Sequence, residues 1–176
     1  MKTIILLVTT LVICLSAQES ISNDKWTPFN ILIGKWEGEG IGKWGSSKVL
    51  REYTYLMGNT YIIGKNKSVY EKQEKNPRGE THENWDILSY DKGRAKYVLR
   101  QFHDEDITNT YNLDSANVAN GIYEFETEAI ENFGEGWRAK EVYEIINQDK
   151  FIEHFFLAAP GKEYQEYVKN TFRRVK

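Results

Sequence analysis

Three stretches of this 176-residue chain carry side chains able to do chemistry. In the first, Glu80, His82, Glu83 and Asp86 crowd together. Imidazole beside carboxylates is the material of an acid/base pair or a metal site. The spacing works against both. In an extended chain His82 and Glu83 point to opposite faces, and only Glu80 and Asp86 share the His82 side. No His-x-His or His-Glu-x-x-His pattern occurs, so no metal ligand set is assigned. His154, between Glu153 and Phe155, reads as a surface or rim residue. In the second stretch, Tyr97, Leu99, Gln101 and His103 alternate onto one face, with Val98, Arg100 and Phe102 on the other. Either choice of inner face puts a polar group among apolar ones, and a buried Arg100 would need a partner. In the third, Trp137, Ala139, Glu141, Tyr143 and Ile145 share a face opposite Arg138, Lys140 and Glu144. An inward glutamate costs free energy unless a donor meets it. Glu141 is therefore expected to be buried and to accept a hydrogen bond from an Arg, His, Tyr or Gln on a neighbouring strand. Such groups orient one end of a bound molecule. No Gly-x-Ser-x-Gly elbow occurs, and Ser46-Ser47 has no activating base within sequence reach. Gly38, Gly40 and Gly42 lack the strand-to-helix context of a phosphate loop and read as points of bending or close contact. No catalytic residue is assigned.

The elements that must position these side chains are strands. The chain beyond its first residues is rich in Tyr, Phe, Trp, Val, Ile and Thr, which suit a pleated, half-buried surface. Turn signals recur about every ten residues, the spacing of an all-β protein. Gly58-Asn59 reads as a two-residue hairpin loop and Asp91-Lys92-Gly93 as a turn with a glycine bulge. Ten strands are expected, over 35–44, 47–57, 60–70, 80–90, 95–103, 106–113, 121–130, 137–146, 151–158 and 163–175. In 121–130, Glu124, Glu126 and Glu128 must be solvated, which turns Tyr123, Phe125 and Thr127 inward. Thr27 to Ile33 reads as a helical turn that plugs one end, with Pro28 near its start. The charged run Glu71 to Gly79 reads as an exposed loop. Short connections between successive antiparallel strands predict an up-and-down barrel, closed so that no edge is exposed. A sandwich is the alternative.

Residues 1–17 read as a secretory signal: Lys2, an apolar run from Ile4 to Ile13, then Ser16-Ala17. The run is shorter than the roughly 20 residues that cross a bilayer. Cys14 raises lipid anchoring, but Ile13 stands where a small residue is expected. Residues 18–176 then make one domain, secreted or periplasmic, with no span in the mature chain. Removing the signal removes the only cysteine, so the domain must hold by its core. The formal charge of −3 does not suit a nucleic-acid surface.

The segments Gly34-Lys35-Trp36-Glu37-Gly38-Glu39-Gly40, Gly79 to Trp85, Tyr97 to His103 and Gly136 to Glu141 resemble bacterial fatty-acid-binding-protein-like barrels. These are relatives of the haem-binding nitrobindin domains within the calycin superfamily. The resemblance spans about residues 26–176. It implies a ten-stranded barrel around an apolar cavity, closed where a last-strand arginine, Arg174 or Arg173, packs across Trp36. It implies a ligand carboxylate as the partner of an interior arginine, with Glu141 as the internal alternative. In nitrobindins a last-strand histidine holds haem iron, and the matching position here falls near Tyr167. No histidine follows His154, so haem is not expected as a cofactor. The reading is a barrel for a small, largely apolar, lipid-like ligand. Its expected contacts are Trp85, Tyr97, Gln101, His103, Tyr123, Phe125, Trp137, Glu141, Tyr143 and Tyr167. The competing readings are a haem-dependent isomerase of reactive nitrogen species and a structural barrel with a filled interior.

Overall fold

The computed structural model describes residues 24–176, so the apolar run and Cys14 lie outside the described residues. Ten antiparallel strands follow one another: β1 (Gly34–Gly42), β2 (Gly45–Leu56), β3 (Tyr61–Tyr70), β4 (Glu80–Asp91), β5 (Lys96–His103), β6 (Thr108–Asp114), β7 (Ile122–Glu131), β8 (Arg138–Asn147), β9 (Lys150–Ala158) and β10 (Gln165–Arg174). Each pairs with its neighbours in sequence, and β1 also pairs with β10, so the sheet is a closed up-and-down barrel. No expected strand boundary misses by more than two residues. Among the described residues no helix is long and apolar enough to cross a membrane.

A 3-10 helix, Asp24–Leu32, seals the end where β1 begins. With three residues per turn, Trp26, Phe29 and Leu32 fall on one stripe, and all three are buried. Phe29 packs edge-on to Tyr97 at 4.8 Å and against Tyr123 at 5.4 Å. The plug is also hydrogen-bonded to the wall. Tyr123 donates to the Pro28 carbonyl at 2.5 Å, Tyr97 to the Lys25 carbonyl, and the Trp26 indole to the Asn59 carbonyl at 2.8 Å. That last bond explains a departure from the expected turn. The β2–β3 connection spans Met57 to Thr60, with Met57, Gly58 and Asn59 all at positive φ, rather than two residues. It curls over to present its carbonyls to the plug, where Thr60 also accepts from Lys25.

Barrel closure rests on Trp36 and Arg174, which face each other in the β1–β10 register. The guanidinium lies 4.2 Å from the indole ring centre. It also donates to the carbonyls of Ile31 (2.6 Å), Ile33 (2.7 Å) and Gln148 (2.9 Å). The indole in turn donates to the Leu32 carbonyl at 2.7 Å. Arg173 pairs opposite Glu37 and is exposed. One arginine thus joins the first strand, the last strand and the plug.

Beyond Trp36, the positions of β1 that share its face are Gly38, Gly40 and Gly42. A methyl group at Gly38 would sit 2.7 Å from the Thr171 carbonyl oxygen, and one at Gly40 would sit 2.4 Å from both Asn170 Oδ1 and Ser47 Oγ. Their bareness lets β10 and β2 side chains close in, and it leaves this stretch of wall without bulk.

Candidate functional site

The inner face changes character along seven strands at the same height. Tyr53 gives way to Arg51 on β2, Leu88 to Asp86 and Asn84 on β4, and Leu99 to Gln101 on β5. Tyr111 gives way to Asn109 on β6, Tyr143 to Glu141 on β8, Phe151 to Glu153 on β9 and Phe172 to Asn170 on β10. Alternation keeps each of these residues on the inner face, so the apolar half nearest the plug supports a buried polar layer. Phe151 stacks on Phe172 at 4.6 Å, and the Arg51 guanidinium lies 4.6 Å above the Phe172 ring.

The polar layer is held by two sets of hydrogen bonds, one around Arg51 and one around Glu141. Arg51 makes a two-pronged ion pair with Glu153, Nη1 to Oε1 at 2.5 Å and Nη2 to Oε2 at 3.0 Å, with both side chains 4% exposed. Its Nε donates to Asn66 Oδ1 at 3.0 Å. From there Asn66 donates to Asn84 at 2.9 Å, and Asn84 to Asp86 at 2.7 Å. Asn170 donates to Glu153 at 2.6 Å. Glu141 accepts from Gln101 Nε2 at 2.7 Å and from the Tyr143 hydroxyl at 2.8 Å. It is buried, but its partners differ from the expected arrangement. Tyr143 stands two residues away on its own strand, and Gln101 reaches it from β5, which is not a sheet neighbour of β8. Burial pushes the Glu141 carboxyl up to about 8, and the charges of Glu153 and Asp86 add to that. Burial likewise lifts Asp86 to about 6, with Arg51 pulling the other way.

Above this floor lies a cavity of about 610 Å³, open at the end away from the plug. Ala139, Ile130, Phe155, Leu157 and Val168 give it an apolar wall, and Arg51, Gln101, Glu141, Glu153 and Asn170 line its base. Trp44, Phe133 and the loop residues Lys75 to Arg78 line its mouth. A volume of this size lies within the range of small-molecule sites. A larger groove of about 1230 Å³ runs over Lys25, Arg94, Lys96 and Asp114 near the plug, without the polar floor.

Of the ten expected contact residues, Gln101, His103, Glu141 and Tyr167 line the cavity. Tyr97, Tyr123, Phe125 and Tyr143 are inward but belong to the packed half below it, where Tyr97 and Tyr123 hold the plug. Trp85 requires a correction. It is 53% exposed, because Asn84 and Asp86 occupy the inner face of β4, and it carries Lys65 over its ring on the outer surface. Trp137 also requires one. It precedes β8, packs on Phe133 at 5.3 Å, and does not line the cavity. A register shift at Tyr167 lets both it and Val168 border the mouth. Arg51, Asn66, Asn84, Asn109, Glu153 and Asn170 were not anticipated. The signal available was the same inner-face alternation, carried one step past the large apolar residue on most of these strands.

His103 is half-buried with Nε2 at 3.2 Å from Asn109 Nδ2, and burial lowers its pKa, which favours a neutral ring. His82 contacts Glu105 and stands 3.4 Å from Glu80. Burial opposes its charge, but the two carboxylates outweigh that and raise its pKa. The potential ligand atoms of His82, Asp104 and Glu105 lie within 4.8 Å of one another, the spacing of a candidate metal group among the described residues. The arrangement arises from the β5–β6 loop rather than from His82's own strand. The Tyr167 hydroxyl accepts from the Trp44 indole at 2.5 Å, and carboxyl, amide and guanidinium groups line the base of the cavity.

The fold has solved counterparts. Rv2717c from M. tuberculosis superposes with a TM-score of 0.62 at 14% identity, over 87% of this chain and 98% of that one. The S-type phycobiliprotein lyase CPES from Guillardia theta superposes with a TM-score of 0.52 at 11% identity, over 89% and 94%. At such identities these likenesses speak to the fold alone, the closed antiparallel barrel. No protein-family model and no curated protein matches the chain.

Proposed function

We propose that this barrel binds a small molecule in its interior, with the polar end of the ligand on the Gln101–Glu141 floor and its apolar body against Phe155, Leu157 and Ile130. The observation that carries the reading is the cavity itself, plugged below and open above, with polar groups gathered at its base. The relation to fatty-acid-binding-like barrels and nitrobindins is part of the proposal, as is action outside the cytoplasm after cleavage near Ala17. The apolar run from Ile4 to Ile13 supports the latter. The reading assigns no catalytic step. The test is organic extraction of the purified protein followed by mass spectrometry, beside Ala139→Phe, which narrows the cavity. A one-to-one small molecule, lost from a folded Ala139→Phe protein, supports the reading. A molecule retained equally by that variant counts against interior binding.

A further inference from the structure

The polar floor is short of hydrogen-bond donors, and it becomes short of positive charge once Glu141 and Asp86 give up the protons that burial makes them keep. Three buried carboxyl groups, Asp86, Glu141 and Glu153, share it with one guanidinium, Arg51. That guanidinium makes four hydrogen bonds: two prongs on Glu153, Nε on Asn66, and a further contact from Nη1 to the Tyr53 hydroxyl at 3.2 Å. The floor amides are engaged through their nitrogens. Gln101 donates to Glu141, Asn170 to Glu153, and Asn109 to the Tyr111 hydroxyl. Their carbonyl oxygens, Gln101 Oε1, Asn109 Oδ1 and Asn170 Oδ1, have no donor among the described residues. Asp86 stands opposite Gln101 in the β4–β5 register, close enough for the Gln101 amide to oppose the upward shift that burial gives its carboxyl. Buried acceptors without donors are costly, and each costs more than an ordinary bond returns. Among these amides the shortfall is of donors.

We propose that the floor receives a cationic, hydrogen-bond-donating head group, an ammonium or an amidinium, on the small molecule the cavity holds. This deepens the interior-ligand reading and rests on it. A cation with several N–H groups would supply the donors that the wall lacks and the charge that Arg51 alone does not supply. A carboxylate head would meet the carboxyl groups of Glu141 and Glu153 and find the one arginine already paired with Glu153. That departs from the acid-binding mode the sequence resemblance implies. The rim does not decide the sign. Lys75 and Arg78 of the β3–β4 loop face Glu80 and Glu105 across the mouth, with His82 and His103 beside them.

The test uses three probes with one tail: dodecylammonium, dodecanol and dodecanoate, titrated below their micelle concentrations and followed calorimetrically. The ammonium is expected to bind one-to-one about tenfold or more tighter than either partner. Its preference over dodecanoate should fall about tenfold in Glu141→Gln, and likewise in Gln101→Met should the first variant not fold. Dodecanoate binding as tightly as dodecylammonium would overturn the cationic head while leaving an interior-ligand barrel standing. A preference unchanged in a folded Glu141→Gln or Gln101→Met protein would also overturn it. One-to-one binding by none of the three would bring down the interior-ligand reading and this one with it.

Discussion

At the residue scale the decisive side chains are carboxyl groups held away from water. Glu141 titrates near 8 in the fold and near 4.5 as an unperturbed glutamate. Between those values the folded chain holds a proton that the unfolded chain has lost, so raising the pH weakens the fold. Asp86 acts in the same sense from 3.8 to about 6. The unfolding free energy is therefore expected to fall from about pH 5 to 8. In Glu141→Gln that fall should shrink by about 1–3 kcal/mol, as read by urea titration at both ends of the range. An unchanged slope would remove Glu141 as its source. Arg51 and Glu153 offer a second check. Removing one partner strands a buried charge, so Glu153→Leu should cost about 3–5 kcal/mol, and Arg51→Met with Glu153→Leu should recover much of that. Equal losses in the single and double variants would argue against a pair that matters as a pair.

At the element scale the plug and the last strand depend on each other through Arg174. Arg174→Ala strips three carbonyls of their donor and bares one face of the Trp36 indole, and should cost about 2–3 kcal/mol in urea unfolding. Arg173→Ala should change almost nothing, because its side chain is exposed. Comparable losses in both would place closure elsewhere. Gly38 gives a steric counterpart. A methyl there meets backbone rather than a movable side-chain end, so Gly38→Ala should destabilise by about 1–3 kcal/mol. The strands themselves were legible from turn spacing and alternation. So was the inward phase of 139–145, because charged residues on the opposite face fixed it. Phase failed where no such contrast existed. Trp85 sits among Glu83, Asn84, Asp86 and Ile87, and hydrophobicity alone suggested the wrong face. The 57–60 turn failed for another reason: its shape answers to the plug, a partner distant in sequence.

At the scale of the whole molecule, the site is a property of the closed ring. Glu141 meets Gln101 across the interior, and Arg51 meets Glu153 over more than a hundred residues of chain. No local pattern marks such pairs, which is why the polar floor was only partly visible in the sequence. Two or three of its members could be named, but their partners could not. The β1–β10 pairing carries a consequence in time. The opening strand finds its second neighbour only when residues 168–174 exist, and the plug receives its arginine clamp only then. A nascent chain must therefore wait, its first strand half-paired, until synthesis has reached β10. Contacts of such long sequence separation are the slow ones to form. A chain of this topology stays open to threading, chaperones or proteases throughout its own translation, and becomes a vessel in its last step.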